Sequence, residues 1–197
     1  MRKKIPAMHT VAMNIAAVLF FAAALPVAAS EASHLTLACE GCHGSGGRSV
    51  NPAVPSLAAQ PRQFIATQLL MYREGNRKNP IMSPLTSRLS NADLNQLAAY
   101  FAAQAPAPPA SALPEDRARA GRLLTQQYFC VNCHGQALHG QMHIPRLAGQ
   151  QAAYLKIQLQ GFKATTRFDM DGQMSSAAQP LTPADIDLIS EYVSSLP

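Results

Sequence analysis

Three features are missing from this sequence, and the first two of them narrow the fold class. After residue 29, no apolar run is long enough to cross a bilayer, so no membrane-spanning helix is predicted there. No stretch alternates apolar and polar residues with a period of two, so no β-sheet is predicted either. Cysteine is absent outside two short motifs. We therefore expect a soluble, all-α protein.

The first 29 residues have the three-part layout of a secretory signal peptide. A basic start, MRKK, is followed by a mostly apolar run from Val11 to Leu25 and then by small residues that suit cleavage. We expect cleavage after Ala29 and export to the periplasm. The alternative is an N-terminal anchor that is not cleaved, but Asn14 interrupts the apolar run and favours removal.

The sequence also lacks a strong excess of charge of one sign. The full chain carries +5, but Arg2, Lys3 and Lys4 lie in the predicted signal peptide, and the remaining 13 basic and 11 acidic residues leave only +2. Nucleic-acid binding normally requires a basic surface. The sequence therefore gives no support for a nucleic-acid partner.

All four cysteines lie in two CxxC motifs that are each followed at once by histidine. The motifs read CEGCHG from residue 39 and CVNCHG from residue 130. This pattern is the attachment signature of c-type haem, in which two thiols bond to the porphyrin and the histidine binds the iron. The sequence therefore predicts two covalently attached haem c groups, with attachment and axial residues Cys39, Cys42 and His43 in the first half and Cys130, Cys133 and His134 in the second.

Three other uses of these cysteines have to be compared with haem attachment. Disulfides are usual in an oxidising compartment, and a thioredoxin-like redox pair is a second use of CxxC. The latter needs a βαβ setting, and no strand pattern accompanies these motifs. A zinc site of four thiolates is chemically reasonable, but it would not require the two histidines. Haem attachment accounts for both histidines and is preferred.

The second half of the sequence repeats the first. Beyond the haem motifs, prolines match at Pro55 and Pro145, and glutamines match at Gln60 and Gln150. Each half is of a size at which apolar burial alone is marginal, which favours a large apolar cofactor in each core. We predict a signal peptide at 1–29, an N-terminal domain at 30–103, a semi-rigid Pro/Ala linker at 104–114 and a C-terminal domain at 115–197.

Helical periodicity is clear in both halves. Apolar and aromatic residues recur on one side of 62–74, where Gly75 is placed to end the helix. The same pattern runs over 151–160, where Gly161 is placed to end it. The last helix of each half begins with a capping box in which Asp replaces the usual Glu, Ser90–Asp93 and Thr182–Asp185.

Each haem iron needs a ligand opposite its histidine, and methionine is the first candidate. Met82 lies eight residues before Ser90, and Met174 lies eight residues before Thr182, so both hold the same place in the repeat. Because a methionine is more often core filler than ligand, the matching position is what favours these two. We predict Met82 and Met174 as axial ligands; the competitors, which lack a matching counterpart, are Met71, Met170, His139 and His143.

The axial histidines also need an acceptor for their second ring nitrogen. Pro55 and Pro145 follow them by 12 and 11 residues, and each offers a carbonyl without a competing N–H. The residues alone leave this role open against that of a loop-stiffening proline. In the same way, Arg77 and Arg167 are either partners of the haem propionates or solvated surface residues.

These motifs, taken together, resemble class I c-type cytochromes. The resemblance rests on CxxCH, P-x-L-A-x-Q, an aromatic residue followed by Gln-Leu, a Met before the last helix and the capped last helix. Two such domains in one exported chain are similar to the cytochrome c4 family. The resemblance implies two tandem helical domains with His/Met-ligated haem, and Pro55 and Pro145 as acceptors for the axial histidines. It also implies that Gly121, on the first helix of the second half, lies against Tyr192 on the last.

The resemblance implies an electron carrier. The expected partners are a membrane quinol-oxidising complex or another donor, and a terminal oxidase or reductase as acceptor; peripheral association with the membrane stays open. One alternative is a dihaem enzyme of the peroxidase or thiosulfate-oxidising type, but such enzymes need an exchangeable iron site or a ligand such as cysteinate, and the sequence has no spare cysteine. A further alternative is a haem-based sensor or an electron-transfer subunit of a larger dehydrogenase complex.

Overall fold

The computed structural model describes Met1 and residues 28–197, with side chains from residue 34 onward. Residues 2–27, which make up most of the predicted signal peptide, lie outside this description. Within the described residues the chain forms helices, and its one β feature is an isolated bridge between Gln141 and Ile144. The all-α prediction is confirmed. No helix in this part of the chain is both long and apolar enough to cross a membrane.

Helices α1 to α4 form the N-terminal half. In chain order the elements are α1 (Ala28–His43), a short 3-10 helix (Ser45–Gly47), α2 (Arg62–Arg73), α3 (Met82–Thr86) and α4 (Asn91–Ala102). Helix α4 packs against both α1 and α2, and it buries Leu94, Leu97 and Phe101 at helical spacing. The first haem motif forms the last turns of α1, where Cys39 packs against this core.

The C-terminal half repeats this arrangement. Its helices are α5 (Glu115–Gln127), α6 (Cys130–His134), α7 (Ala152–Lys163), α8 (Gln173–Ala178) and α9 (Pro183–Ser194). Helix α9 packs against α5 and α7 and buries Ile186, Ile189 and Val193. One difference lies at the haem motif. Phe129 has a φ of 57° and separates α5 from α6, whereas the first motif continues α1 without a break.

The predicted capping boxes are present at the last helix of each half. The Asp93 N–H donates to Ser90 Oγ at 3.2 Å, and the Ser90 N–H donates to Asp93 Oδ2 at 2.7 Å. The corresponding distances for Asp185 and Thr182 are 3.1 and 2.9 Å. Each box satisfies amide groups that have no partner inside the helix. This prediction is confirmed.

The end of α7 differs from the prediction. The sequence predicts that Gly161 ends this helix, but α7 continues to Lys163. Gly161 instead allows a close approach, because an added Cβ would lie 3.2 Å from the Cβ of Arg167. The left-handed backbone conformation that follows the helix falls on Thr165, with a φ of 53°. In the first half, by contrast, Gly75 follows α2 with a φ of 75°, as predicted.

Helices α5 and α9 approach each other most closely at Gly121. A Cβ at this position would lie 2.3 Å from the Cβ of Tyr192, a separation at which two carbon atoms overlap. Only glycine permits this approach of the two backbones. The contact between Gly121 and Tyr192 that the family resemblance implies is therefore confirmed.

The two halves contact each other directly. Hydrogen bonds join residues 49–60 of the first half to residues 146–151 of the second. A second contact joins Arg77 to side chains of α7. Residues 103–114 contain no helix, and the Ala110 N–H donates to the Ser194 carbonyl at 2.9 Å. This connecting segment therefore runs along the C-terminal half.

Candidate functional site

The two histidines of the haem motifs are buried in equivalent settings. His43 ends α1 and His134 ends α6, and their exposed fractions are 6% and 4%. Nδ1 of His43 lies 2.8 Å from the Pro55 carbonyl oxygen, and Nδ1 of His134 lies 2.8 Å from that of Pro145. Because a carbonyl only accepts, each Nδ1 carries the proton and each Nε2 keeps its lone pair.

Burial also keeps these imidazoles neutral. Desolvation lowers the pKa of both His43 and His134, and the hydrogen bond to the proline carbonyl opposes this effect only in part. A neutral imidazole with a free Nε2 is the form that binds a metal ion. Both histidines therefore have the protonation state that an axial ligand needs.

The four cysteines all lie in the described part of the chain, and none of them forms a disulfide. The first cysteine of each motif, Cys39 or Cys130, is partly buried, and this burial raises its pKa. The second, Cys42 or Cys133, is exposed. Among the described residues no group of three or more His, Cys, Asp or Glu side chains could hold a metal ion, so the four thiolates of the zinc alternative do not converge. Both thiols of each motif are available for bonds to a porphyrin.

Met82 and Met174 hold equivalent places before the last helix of each half. Each lies in a short helix, α3 or α8, and not in an irregular loop as the sequence suggests. The Met82 N–H donates to Asn79 Oδ1 at 2.9 Å, and the Met174 N–H donates to Asp169 Oδ2 at 2.9 Å. Both methionine side chains are partly buried. Asn79 and Asp169, which sequence reasoning did not single out, therefore fix the backbone at the two methionines.

The competing ligands lie in different environments. Met71 is buried in α2, whereas the Met170 side chain is 74% exposed. His139 is exposed, with its Nε2 3.1 Å from the Pro197 carbonyl oxygen, and His143 is exposed as well. None of these four residues repeats an arrangement found in the other half.

Arg77 and Arg167 meet at the contact between the two halves. Arg77 donates to Gln68 of its own half at 2.6 Å. It also crosses to the other half, where it donates to the Tyr154 hydroxyl at 3.1 Å and to Gln158 Oε1 at 2.9 Å. Arg167 donates to the same Gln158 oxygen. The sequence repeat indicates the two arginines but not the side chains that join them.

Neither Arg77 nor Arg167 is paired with a carboxylate among the described side chains. Burial, and then the charge of Arg77, lower the pKa of Arg167 to about 10. Burial alone would raise the pKa of Tyr154, but the two cations outweigh it and lower that pKa. Among the described side chains neither arginine forms a salt bridge, and the buried Nε of Arg167 has no hydrogen-bond partner. Both arginines line a cavity of about 520 Å³, which therefore suits an anion.

Gln60 and Gln150 form another part of the domain contact. The repeat places them at matching positions, but their sequence surroundings indicate no role for either. Each buried amide reaches across and binds the backbone of the residue that follows the other half's proline. The shared position in the repeat was the one signal that could have drawn attention to them.

The donor set fits two covalently bound haem groups. Each half contains two cysteines outside any disulfide, a neutral buried imidazole and a partly buried methionine. The unpartnered Nε of Arg167 fits the carboxylate of a propionate. The fold and the site together define a c-type cytochrome with two haems.

Comparisons with known proteins agree with this class. Residues 118–197 match the family model described as Cytochrome c, and residues 28–101 match the one described as Cytochrome C oxidase, cbb3-type, subunit III. Cytochrome c4 of Thiocapsa roseopersicina is 34% identical over 80% of this chain and 86% of its own. The thiosulfate dehydrogenase electron acceptor of Thiomonas intermedia is 32% identical over 100% of this chain and 95% of its own. The crystal structure of reduced cytochrome c4 from Pseudomonas stutzeri superimposes with a TM-score of 0.78 at 29% identity, over 85% of this chain and 98% of that chain.

The chain belongs to the cytochrome c4 family of dihaem electron-transfer proteins. It carries two covalently attached haem c groups, one for each CxxCH motif. Its function is electron transfer, and its partners are therefore other redox proteins.

Proposed function

We propose that this protein is a periplasmic electron shuttle in which His43 and Met82 ligate one haem iron and His134 and Met174 ligate the other. The observation that carries the proposal is a repetition. In both halves a buried imidazole bound to a proline carbonyl is combined with a methionine eight residues before the capping residue of the last helix. A closed pair of axial ligands suits electron transfer, because no iron position is left for a substrate.

The protein's part in this function is to hold the ligands. When bound, each haem supplies a one-electron Fe(III)/Fe(II) couple, and a thioether ligand raises its potential. The cysteines of each CxxCH motif fix the porphyrin covalently. The carbonyls of Pro55 and Pro145 orient the two imidazoles, and Asn79 and Asp169 hold the backbone at the methionines.

Arg77 and Arg167 are proposed partners of the haem propionates. The buried, unpartnered Nε of Arg167 and its pKa of about 10 support this assignment, because a nearby carboxylate would compensate the buried charge. The negative charges of the propionates would also compensate the two guanidinium groups that the fold brings together.

Optical spectroscopy of the oxidised holoprotein tests the ligand assignment. Ligation of Fe(III) by methionine gives a weak far-red absorption band, and we expect this band from both haems. A high-spin spectrum, or rapid binding of carbon monoxide by the reduced protein, would contradict the assignment and favour the dihaem enzyme. Mass spectrometry of the exported protein should show the added mass of two haem groups.

One relative favours a particular class of electron donor. The protein of Thiomonas intermedia is by name an electron acceptor of thiosulfate dehydrogenase, and its similarity extends over the whole of this chain. We therefore place a thiosulfate dehydrogenase ahead of the membrane quinol-oxidising complex as the donor. A terminal oxidase or reductase is the proposed acceptor.

Stopped-flow mixing separates these donors from each other and from an enzymatic role. Oxidised holoprotein should be reduced at both haems by thiosulfate dehydrogenase together with thiosulfate, and by neither component alone. Rapid reduction by thiosulfate alone would identify the protein as the thiosulfate-oxidising enzyme itself. Reduction by the quinol-oxidising complex, without reduction by the dehydrogenase, would identify the other donor.

The proposed domain boundaries follow the same repeat. Family-model matches end at residue 101 and begin again at residue 118, which supports a connecting segment at 104–114. Limited proteolysis of the holoprotein tests this organisation. Cleavage should occur first within the segment and release two fragments that each retain haem.

A further inference from the structure

The side chains of Gln60 and Gln150 form a reciprocal clamp across the contact between the two halves. Gln60 Nε2 donates to the Arg146 carbonyl at 2.8 Å, and the Arg146 N–H donates back to Gln60 Oε1 at 3.0 Å. Gln150 Nε2 donates to the Ser56 carbonyl at 2.9 Å, and the Ser56 N–H donates back to Gln150 Oε1 at 2.8 Å. Each side-chain amide therefore binds both backbone groups of one residue in the other half.

The clamped residues directly follow the prolines that hold the histidines. The Ser56 N–H and the Pro55 carbonyl belong to one planar peptide group. His43 Nδ1–H donates to the carbonyl end of this peptide, and Gln150 accepts from its N–H end. The second half has the same chain of bonds, formed by His134, Pro145, Arg146 and Gln60.

These chains of bonds are shielded from water. Gln60 and Gln150 are each only 5% exposed, and both histidines are buried. A buried N–H or carbonyl that loses its partner has no water to replace it, so the amide and the peptide depend on each other. Since both halves form the same clamp at equivalent positions, it is a property of the repeat and not a single incidental contact.

We propose that Gln60 and Gln150 are positioning residues for the axial histidine of the opposite domain, so that the reduction potential of each haem depends on the docking of the other domain. This inference rests on the proposed axial role of His43 and His134. The reduction potential of each haem would then depend on the domain contact and not on its own haem motif alone.

The effect has a definite sign. An N–H that donates to the glutamine oxygen makes the carbonyl of the same peptide a stronger acceptor, because hydrogen bonds in a chain polarise one another. A stronger acceptor draws the Nδ1 proton and makes the imidazole a more basic ligand. A more basic ligand favours Fe(III) and lowers the potential. Loss of the clamp should therefore raise the potential of the haem in the other half.

Potentiometric titration of holoprotein with Gln150→Ala tests the inference. The potential of the N-terminal haem should rise, and that of the C-terminal haem, in the domain that carries the substitution, should stay unchanged. Gln60→Ala should give the reverse pattern. A shift confined to the substituted domain, an equal shift of both haems, or no shift in either variant would overturn the proposal.

Gln151→Ala is the matched control. The Gln151 side chain crosses the same contact and donates to the Ser49 carbonyl at 2.6 Å, but it makes no bond to the proline peptide. Removing it takes away one bond between the domains, and both potentials should stay unchanged. If Gln151→Ala raised the N-terminal potential as much as Gln150→Ala does, a general loosening of the contact would explain both shifts, and the clamp would have no special role.

Proton NMR of the fully reduced, histidine-labelled holoprotein separates this inference from the ligand assignment. In the unaltered protein the porphyrin ring current should displace the ring protons of His43 and His134; if it does not, the axial assignment itself fails. If it does, the Nδ1–H signal of His43 should move upfield in Gln150→Ala, because its hydrogen bond weakens. An unchanged signal would overturn the clamp alone. Gln150→Asn is a second variant that keeps a polar amide, but its side chain is too short to reach the Ser56 backbone. It should shift the signal in the same direction.

Discussion

Arg77 and Arg167 occupy equivalent positions in the two halves and donate to one shared acceptor, Oε1 of Gln158. Two guanidinium groups on one amide oxygen repel each other, and burial together with Arg77 lowers the pKa of Arg167 to about 10. Propionates of the two haems would supply the missing negative charge. On this proposal the haem groups contribute to the domain contact as well as to the two cores.

Replacement of Arg167 with Gln should lower the reduction potential of the C-terminal haem. Loss of a positive charge beside the propionates stabilises Fe(III) relative to Fe(II), by on the order of 1 kcal/mol at an effective dielectric constant of about 20. Optical titration of the holoprotein measures the shift. Arg117→Gln is the control, because Arg117 pairs with Glu191 on the surface. Equal potentials in the Arg167 variant and the unaltered protein would argue against a propionate at this site.

Replacement of Met174 with Ala should open the C-terminal haem iron and leave the N-terminal haem unchanged. We expect the far-red band to fall by about half and the reduced protein to bind carbon monoxide at one iron. The potential of that haem should fall by on the order of 0.1 V, a part of the roughly 0.8 V range that axial ligands cover. Met82→Ala should have the same effects on the N-terminal haem.

Met170→Ala is the control for the methionine variants. Met170 lies four residues before Met174, but its side chain is exposed and has no counterpart in the first half. Its removal should leave the spectrum and both potentials unchanged. Loss of the far-red band in Met170→Ala, with a native spectrum in Met174→Ala, would transfer the ligand role to Met170.

The features that could be predicted from the sequence are those formed by residues close together in the chain. Ser90 and Asp93 are three residues apart and form their reciprocal bonds within one helical turn, so predicting these bonds requires no knowledge of the tertiary packing. The CxxCH motifs are local in the same sense. The repeat then allowed each assignment in one half to be compared with its equivalent in the other.

The domain contact could not be predicted, because it depends on how the two halves dock. Arg77 and Gln158 are 81 positions apart, and nothing in the periodicity of either half indicates that they meet. The prediction for Gly161 was wrong for a related reason. A glycine near the end of a helical pattern favours a helix stop, but here the missing side chain makes room for Arg167 while the helix continues.

Replacement of Asp185 with Ala should destabilise the protein more than replacement of Asp93. Both carboxylates complete a capping box, and loss of such a cap costs about 1 kcal/mol. Asp185 Oδ2 also accepts from the Tyr128 hydroxyl at 3.0 Å, which joins the start of α9 to the end of α5. Among the described residues the Asp93 side chain bonds only to Ser90. Thermal unfolding of the two holoprotein variants measures the difference, and equal losses would mean that the Tyr128 bond adds nothing.

Acid should remove the stabilising effect of Asp185. Hydrogen bonds from Thr182 lower the pKa of this carboxyl below its ordinary value of 3.8. A carboxyl whose pKa is depressed in the folded state stabilises the fold above its unfolded pKa, and this contribution is lost as the pH falls through the folded pKa. The difference in melting temperature between the unaltered protein and Asp185→Ala should therefore be largest near neutral pH and should become smaller below about pH 3.8. A difference that stays constant into the acid range would show that the charge of the carboxylate is not what stabilises the cap.

Replacement of Gly121 with Ala should destabilise the C-terminal half. The added Cβ would lie 2.3 Å from the Cβ of Tyr192, so α5 and α9 would have to move apart. Overpacking of this kind costs about 1–3 kcal/mol, and the higher helix propensity of alanine returns at most about 1 kcal/mol. Gly41→Ala is the control: Gly41 also lies inside a helix, α1, but its added Cβ would meet no protein atom within 4 Å. Thermal unfolding of the reduced holoprotein should show a lower melting temperature for Gly121→Ala and an equal or higher one for Gly41→Ala. If the Gly121 variant melted at the same temperature as the unaltered protein, the close approach of α5 and α9 would not be required for stability.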